Sequence, residues 1–457
     1  MLENKSVPRA IAQYAIPTIL SQIVTLVYNL ADTFFVGHTN NPSQVAALAL
    51  SFPLFMSMTL IGNLFGIGAN SLMSRSLGHK DPKRASVTST FSFYGALALT
   101  VVWMAVLSIF MHPILNVIGA KTAETYQATG AYIRWTVVIG GLPTVASLML
   151  GHLSRGEGNT KRASFGMAFG GLLNIVLDPV FVQGFGMGAA GAGIATCISN
   201  AAAFLYLFIC VKRDPDSVIR LSPRAFNIIP SIASQVILVG MPAAAVIVLG
   251  SSANIVLTHF MSAYGDVPVA AFGVVQKIGT ITMQITIGLT QGIMPLLGYC
   301  YGAGDMKHVK EINRWSFLIL AVYAASCVAL IELFPGQLIH LFIHEPETVA
   351  IGTAFLKRYI LCAFGMCFVM LLNSMFQAMG KWQQSLLLSF IRQGVLLIPL
   401  LTILNRVIGM YGLVWSQPIA DTCALVLGFV MYGMTIYGKR IQRKKIYGKK
   451  RSTDGRF

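Results

Sequence analysis

The sequence predicts an all-α polytopic membrane protein: twelve transmembrane helices in two six-helix bundles related by an axis along the membrane normal. Three observations predict it. First, 55% of the 457 residues are hydrophobic and only 11% are charged, against about a quarter charged in a typical soluble protein. A soluble core of this size cannot hide that much apolar surface, whereas lipid can. Second, twelve apolar runs reach the roughly 20 residues that a helix needs to cross a bilayer. Third, the chain repeats itself at an offset of 224 residues.

The apolar runs lie at about 12–37, 45–74, 88–111, 127–152, 161–182, 190–211, 232–260, 268–297, 312–334, 352–378, 383–405 and 411–437. The longer ones exceed the hydrocarbon thickness and must tilt or project beyond it. Abundant glycine (43 residues) suits helices that approach closely in a membrane. Pro17, Pro53, Pro143, Pro242, Pro295 and Pro399 fall inside or at the ends of spans, where a missing amide bends a helix.

The repeat is carried by short pieces. Val45-Ala46-Ala47-Leu48-Ala49 returns as Val269-Ala270-Ala271-Phe272-Gly273, and Gly68 and Gly78 return as Gly292 and Gly302. The segment 75–81 returns as 299–305, Phe91-Ser92 as Trp315-Ser316, and Arg155-Gly156-Glu157 as Met379-Gly380-Lys381. The register slips only near the end, where Gly193 best matches Gly412. Such a repeat implies two copies of one unit. Six is even, so both copies enter the membrane in the same direction and their axis runs along its normal. The expected division is an N-terminal bundle at 1–211, a linker at 212–231, a C-terminal bundle at 232–437 and a basic tail at 438–457. The linker is a candidate for a short amphipathic helix.

Net charge is +17, yet the basic residues form short clusters between apolar runs, which excludes a nucleic-acid-binding surface. Their placement sets topology, since Lys and Arg favour cytoplasmic loops. With the N-terminus inside, the inner segments and the tail hold 26 of the 33 basic residues. Lys121, Lys357, Arg358 and Arg406 fall outside. Both termini are therefore expected in the cytoplasm, with the tail facing anionic lipid. The seven Cys show neither metal-site spacing nor a disulfide framework. No cleavable leader is expected, because the first apolar run is too long and lacks a small-residue cleavage site.

Two acids interrupt apolar runs: Asp32 in span 1 and Asp178, followed by Pro179, in span 5. An ionisable residue inside a span is costly and marks a candidate ion or substrate pathway. Such an acid can take a proton on one side of the membrane and release it on the other. Two acids with nearby hydroxyls and amides equally offer hard oxygen ligands to Na⁺, so a Na⁺ site at Asp32 and Asp178 is a second expectation. The bland alternatives are a helix-end cap for Asp32 and a surface turn at Asp178-Pro179. Asn174 stands one turn before Asp178 on the same helix face. Tyr132, Tyr28, Asn29, Gln22, Asn200 and Thr196 are further polar groups in this bundle, each also explicable as an interhelical hydrogen bond. Tyr28, Gln22, Met283 and Gln284 are weaker candidates for the walls of a substrate cavity. The repeat places Val256 opposite Asp32 and Thr402 opposite Asp178, so ion coupling is expected mainly in the N-terminal bundle. The C-terminal bundle has Lys277, Arg392 and Asp421, the last two a candidate ion pair.

These features converge on a family resemblance. Pro17, Asp32 with Gly37, Asn63-Leu-Phe-Gly-Ile-Gly68-Ala, Ser74-Arg-Ser-Leu-Gly78, Arg155-Gly156-Glu157-Gly158-Asn159, Leu173-Asn174-Ile-Val-Leu-Asp178-Pro179 and Gly191-Ala-Gly193-Ile-Ala-Thr196 resemble the multidrug and toxic compound extrusion (MATE) transporters, in the DinF-like branch. The resemblance covers about residues 10–437. It implies two six-helix bundles in a V around a central cleft and export of cationic, often aromatic drugs in exchange for H⁺ or Na⁺. It also implies coupling roles for Asp32 and Asp178, with Asn174, Thr196 and Tyr132 in the polar network. No cofactor is implied beyond the coupling ion. The resulting expectation is a monomeric multidrug antiporter of the bacterial inner membrane, in contact with lipid and small organic cations and with no nucleic-acid partner. A flippase for lipid-linked precursors is the nearest rival, and would require an electropositive cleft. An intramembrane enzyme would require a nucleophile or a metal set such as His-Glu-x-x-His, which this chain lacks.

Overall fold

The computed structural model describes residues 6–39 and 41–453, with side chains up to Ile436 except that of Ala225. The expected basic tail lies outside the described side chains, as does Lys5. Spans 1 to 3 are Val7–Gly37, Pro42–Gly78 and Pro82–Ile109. Span 4 is Ala123–Ile139 with Gly141–Gly156, bent by 49°. Spans 5 to 9 are Thr160–Gly184, Gly188–Arg213, Pro230–Ser262, Asp266–Gly302 and Met306–Leu333. Span 10 is Pro346–Tyr359 with Cys362–Ala378, bent by 45°. Spans 11 and 12 are Trp382–Ile408 and Met410–Ile436. Among the described residues there is no strand.

Helix starts follow from local chemistry. Asn41, Asp81, Asn159 and Asp305 each accept a hydrogen bond from a first-turn amide, that of Ser43, Arg84, Arg162 and His308 respectively. Such caps satisfy donors that the helix itself leaves orphaned. Asp81 and Asp305 are 224 residues apart, so the cap belongs to the repeat. The repeat also extends to features not legible in composition. The bends of spans 4 and 10 match, and the short helix Met111–Val117 returns as Pro335–His340.

The two halves meet through reciprocal contacts. A Cβ on Gly78 would overlap the Tyr299 carbonyl oxygen, and one on Gly302 would overlap the Arg75 carbonyl oxygen. Gly302 and Tyr299 are the 224-residue counterparts of Gly78 and Arg75, so the contact is self-complementary, as a two-fold relation demands. Spans 2 and 7 cross where Gly68 faces the Val236 carbonyl and Gly240 the Leu64 carbonyl. Spans 8 and 1 cross likewise, a Cβ on Gly292 or Gly288 falling 2.6 Å from the Cα of Ala15 or Ile19. Glycine at these crossings lets backbones touch. Each half's first helix also leans across. Val7, Ala10, Ile11 and Tyr14 join the core of the C-terminal half, and Ile232 and Val236 join that of the N-terminal half.

All these contacts lie at one end, where Val7, Ile312 and Ile436 share a core. Ser71 Oγ donates to the Gln377 carbonyl there at 2.5 Å. Gln22 bridges to Gln291 at 3.4 Å, at the upper edge of this closed zone. Beyond it, Gly37 and Gly273 have open space around them, and Val27, Leu30, Phe34 and Ile255 are exposed. The halves thus diverge into a cleft that opens away from the termini.

The linker differs from expectation. Between Arg213, where span 6 ends, and Pro230, where span 7 begins, the one helical element is the single turn Pro223–Ala225, so there is no amphipathic helix. Instead it is strapped to the N-terminal half. Ser217 Oγ and the Val218 amide donate to Glu157 at 2.8 and 3.3 Å. Tyr94 Oη donates to the Leu221 carbonyl at 2.6 Å. Arg155 and Arg162 are likewise not loop-surface cations. Both are buried, and Arg162 pairs with Glu157 and with Asp214.

Candidate ion-coupling site

Span 5 gathers the site. It carries Gly170-Gly171, and each glycine admits a neighbour. A Cβ on Gly171 would stand 2.8 Å from Val24 Cγ1 and 3.3 Å from Tyr28 in span 1, and one on Gly170 would stand 2.9 Å from Ala203 in span 6. Spans 1, 5 and 6 are therefore drawn into one contact. Three and seven residues beyond Gly171, on the face turned to span 1, come Asn174 and Asp178. Four residues beyond Tyr28, on the span 1 face that meets them, comes Asp32. Local periodicity alone thus aims both acids at the seam between the two helices.

The carboxyls of Asp32 and Asp178 are neighbours, and Asn174 lies beside Asp32. Asp32 is 7% exposed and Asp178 fully buried. Asn174 Nδ2 donates to Asp178 Oδ1 at 3.4 Å and to Thr196 Oγ1 at 3.5 Å, while Thr196 donates to the Ala192 carbonyl at 2.9 Å. Tyr28 and Tyr132 stand near the two acids. Three buried acceptor oxygens are left without a partner: Asp32 Oδ1, Asn174 Oδ1 and Asp178 Oδ2. Buried acceptors normally find partners. Two close carboxyls cannot both ionise without a proton or cation between them. Hard oxygens of this kind suit either H⁺ or Na⁺, and the residues present fit both.

Neither bland alternative describes these acids. Span 1 continues beyond Asp32 to Gly37, so Asp32 caps nothing. Asp178-Pro179 is not a surface turn, because the chain continues helically through a widened, π-type turn at Pro179–Gly184. A similar turn at Arg134–Ile139 follows Tyr132. Such turns recur at functional sites, where they re-aim side chains.

The remaining candidates lie elsewhere. Gln22 closes the cleft floor against Gln291. Met283 and Gln284 are on span 8, outside the cluster. Asn29 donates to its own helix at the Thr25 carbonyl, and Asn200 donates to Thr144 Oγ1 in span 4 at 2.9 Å. The expected Arg392–Asp421 pair forms, with Nε to Oδ1 at 2.6 Å and Nη2 to Oδ2 at 3.3 Å, and Gln417 Nε2 donates to both carboxylate oxygens at 3.0 and 3.1 Å. Sequence reasoning missed the Gly170-Gly171 pair. The signal was there: two adjacent small residues about two turns before a buried acid.

Two repeated six-helix bundles, a cleft closed at one end and a buried acid pair in one bundle define a membrane transporter rather than an enzyme. The sequence pattern of the MatE family matches residues 17–180 and 242–403, and the chain belongs to that family. It is 29% identical over 435 residues to the multidrug export protein MepA of Staphylococcus saprophyticus and 27% identical to MepA of Staphylococcus aureus, covering 94% of each chain in both cases. A solved MATE structure in complex with MaD5 is 26% identical, with a TM-score of 0.88 over 96% of this chain and 98% of that one. An outward-facing multidrug resistance MATE family transporter of the MOP superfamily is 25% identical, with a TM-score of 0.87 over 95% and 97%.

Proposed function

We propose that this protein is a monomeric antiporter of the bacterial inner membrane that exports cationic and amphipathic drugs in exchange for H⁺ or Na⁺. The observation that carries this reading is the acid pair: two neighbouring buried carboxyls, each with one oxygen left without a partner, beside an equally unpartnered Asn174 Oδ1. Its multidrug relatives, MepA among them, support the substrate class. On the positive-inside reading both termini are cytoplasmic, so the closed end faces the cytoplasm and the cleft opens outward.

Alternating access then has a physical route. A proton or Na⁺ entering the seam removes the repulsion between Asp32 and Asp178 and lets span 1 settle against span 5. Span 1 is also the helix whose lower half packs on Gly288 and Gly292 of span 8. A shift of span 1 therefore changes the inter-half contact that closes the cytoplasmic end. The ion drives the cycle only because it binds the two access states differently. The test is dye efflux from proteoliposomes with pH and Na⁺ gradients imposed separately. One gradient should drive efflux in the wild type, and neither should in Asp32→Asn. Efflux by Asp32→Asn at the wild-type rate would overturn the reading.

A further inference from the structure

Span 8 stands apart among the long helices. It runs for 37 residues yet falls outside the helices that are apolar enough to cross a membrane on composition alone. Its polar residues are not evenly spread. Gly288 packs on Ile19 of span 1 and marks the face turned toward the N-terminal half. At about 100° per residue, Lys277 and Gln284 project within about 40° of that direction. The opposite face carries Gly279 against Tyr359 and Thr286 against Cys367 Sγ at 3.1 Å, both inside the C-terminal half.

Lys277 therefore points across the cleft. Below it that face is sealed at Gly288 and Gly292. Above it the face is open, with Gly273 in free space and Lys277 itself exposed. Beside it, Gln276 Nε2 donates to Asn254 Oδ1 at 2.8 Å and ties span 8 to span 7. No described Asp or Glu lies within 4.0 Å of the ammonium. An intramembrane cation facing a cavity marks a substrate or ion path, and a lysine ammonium is a compact point charge whose natural partner is a carboxylate.

We propose that Lys277 is the anion-recognising residue of the cleft, and that the substrates it selects are zwitterionic amphiphiles. Their carboxylate pairs with Lys277 while the cationic centre and apolar body occupy the rest of the cleft. This rests on reading the cleft as the substrate path, and it narrows the substrate class from cations in general to molecules that also carry an acid.

The test uses the purified full-length chain in detergent and two xanthene dyes, one with a free carboxylate and one its ethyl ester. Fluorescence polarisation reads binding with no ion gradient, so a failure of antiport leaves this test intact. The wild type should bind the acid about tenfold or more tighter than the ester, as a charge-assisted contact implies. Lys277→Gln should erase that preference and Lys277→Arg should keep it. An unchanged acid-to-ester ratio in Lys277→Gln, an equal loss for both dyes, or no binding of either dye to the wild type overturns the proposal.

Discussion

Spans 1, 5 and 6 of the N-terminal half enclose two carboxyls with no cationic side chain between them. Spans 11 and 12 of the C-terminal half, in the places equivalent to spans 5 and 6, enclose one carboxylate held by a guanidinium and an amide. Both clusters are buried, and each sits beside a π-type turn, Pro179–Gly184 in one half and Ile391–Leu397 in the other. The difference is in satisfaction. The C-terminal cluster is neutral and its acid fully bonded, whereas the N-terminal cluster has orphaned oxygens. The scaffold is duplicated and the acid pair is not. A settled pair serves structure, and an unsettled one can bind and release.

The largest expected effect lies in the N-terminal cluster. Asp178→Asn should reduce ion-driven efflux to the level of protein-free liposomes while leaving thermal stability in detergent unchanged or raised, since a buried carboxyl is neutralised. The C-terminal cluster should respond in the opposite sense. Arg392→Ala should cost about 3–5 kcal/mol of stability, because it leaves a buried carboxylate unpaired. The double variant Arg392→Met with Asp421→Leu should recover most of that loss and keep transport. Thermal unfolding of the three proteins would decide the matter, and a double variant that is stable but inactive would give the C-terminal pair a role in transport.

A smaller effect is expected at Gly171. Gly171→Leu keeps both acids but drives a side chain into Val24 and Tyr28. Overpacking of this kind costs about 1–3 kcal/mol and should separate the carboxyls, so coupling is lost while the fold remains. Efflux equal to wild type in a folded Gly171→Leu protein would show that the seam between spans 1 and 5 is not what couples. The smallest effect is at the caps. Asp305→Ala should cost about 0.5–2 kcal/mol, and Asp81→Ala, its counterpart, a similar amount. The His308 amide holds the Asp305 carboxyl below its usual range. That contribution is complete above the ordinary carboxylate range and fades as pH falls through the lowered value. The Asp305→Ala deficit measured by thermal unfolding should therefore shrink in acid.

Much of this comparison was legible in the sequence. Apolar runs located all the spans, span 8 included, although it falls outside the helices apolar enough to cross on composition alone. The lone acids at Asp32 and Asp178 marked the site because a charge in lipid is costly wherever it stands. What escaped reading depended on contact rather than composition. Gly140 and Gly141 do not say whether a helix bends or packs, and Pro179 reads as a turn unless a π-type turn absorbs it. Gln22 reads as a cavity residue until its partner Gln291, on the opposing half, is known. Arg155 and Arg162 read as loop charges because burial beside Met167 and Glu157 leaves no mark in a charge pattern.

The central claim is that the acid pair, and not the C-terminal pair, holds the exchanged ion. Its most direct measurement is ion release from detergent-solubilised protein on addition of a transported dye, followed with a pH indicator and a Na⁺ electrode. The wild type and the Arg392→Met, Asp421→Leu double variant should release one of the two ions, and the Asp32→Asn, Asp178→Asn double variant should release neither. Release from that last protein at the wild-type level would contradict the account.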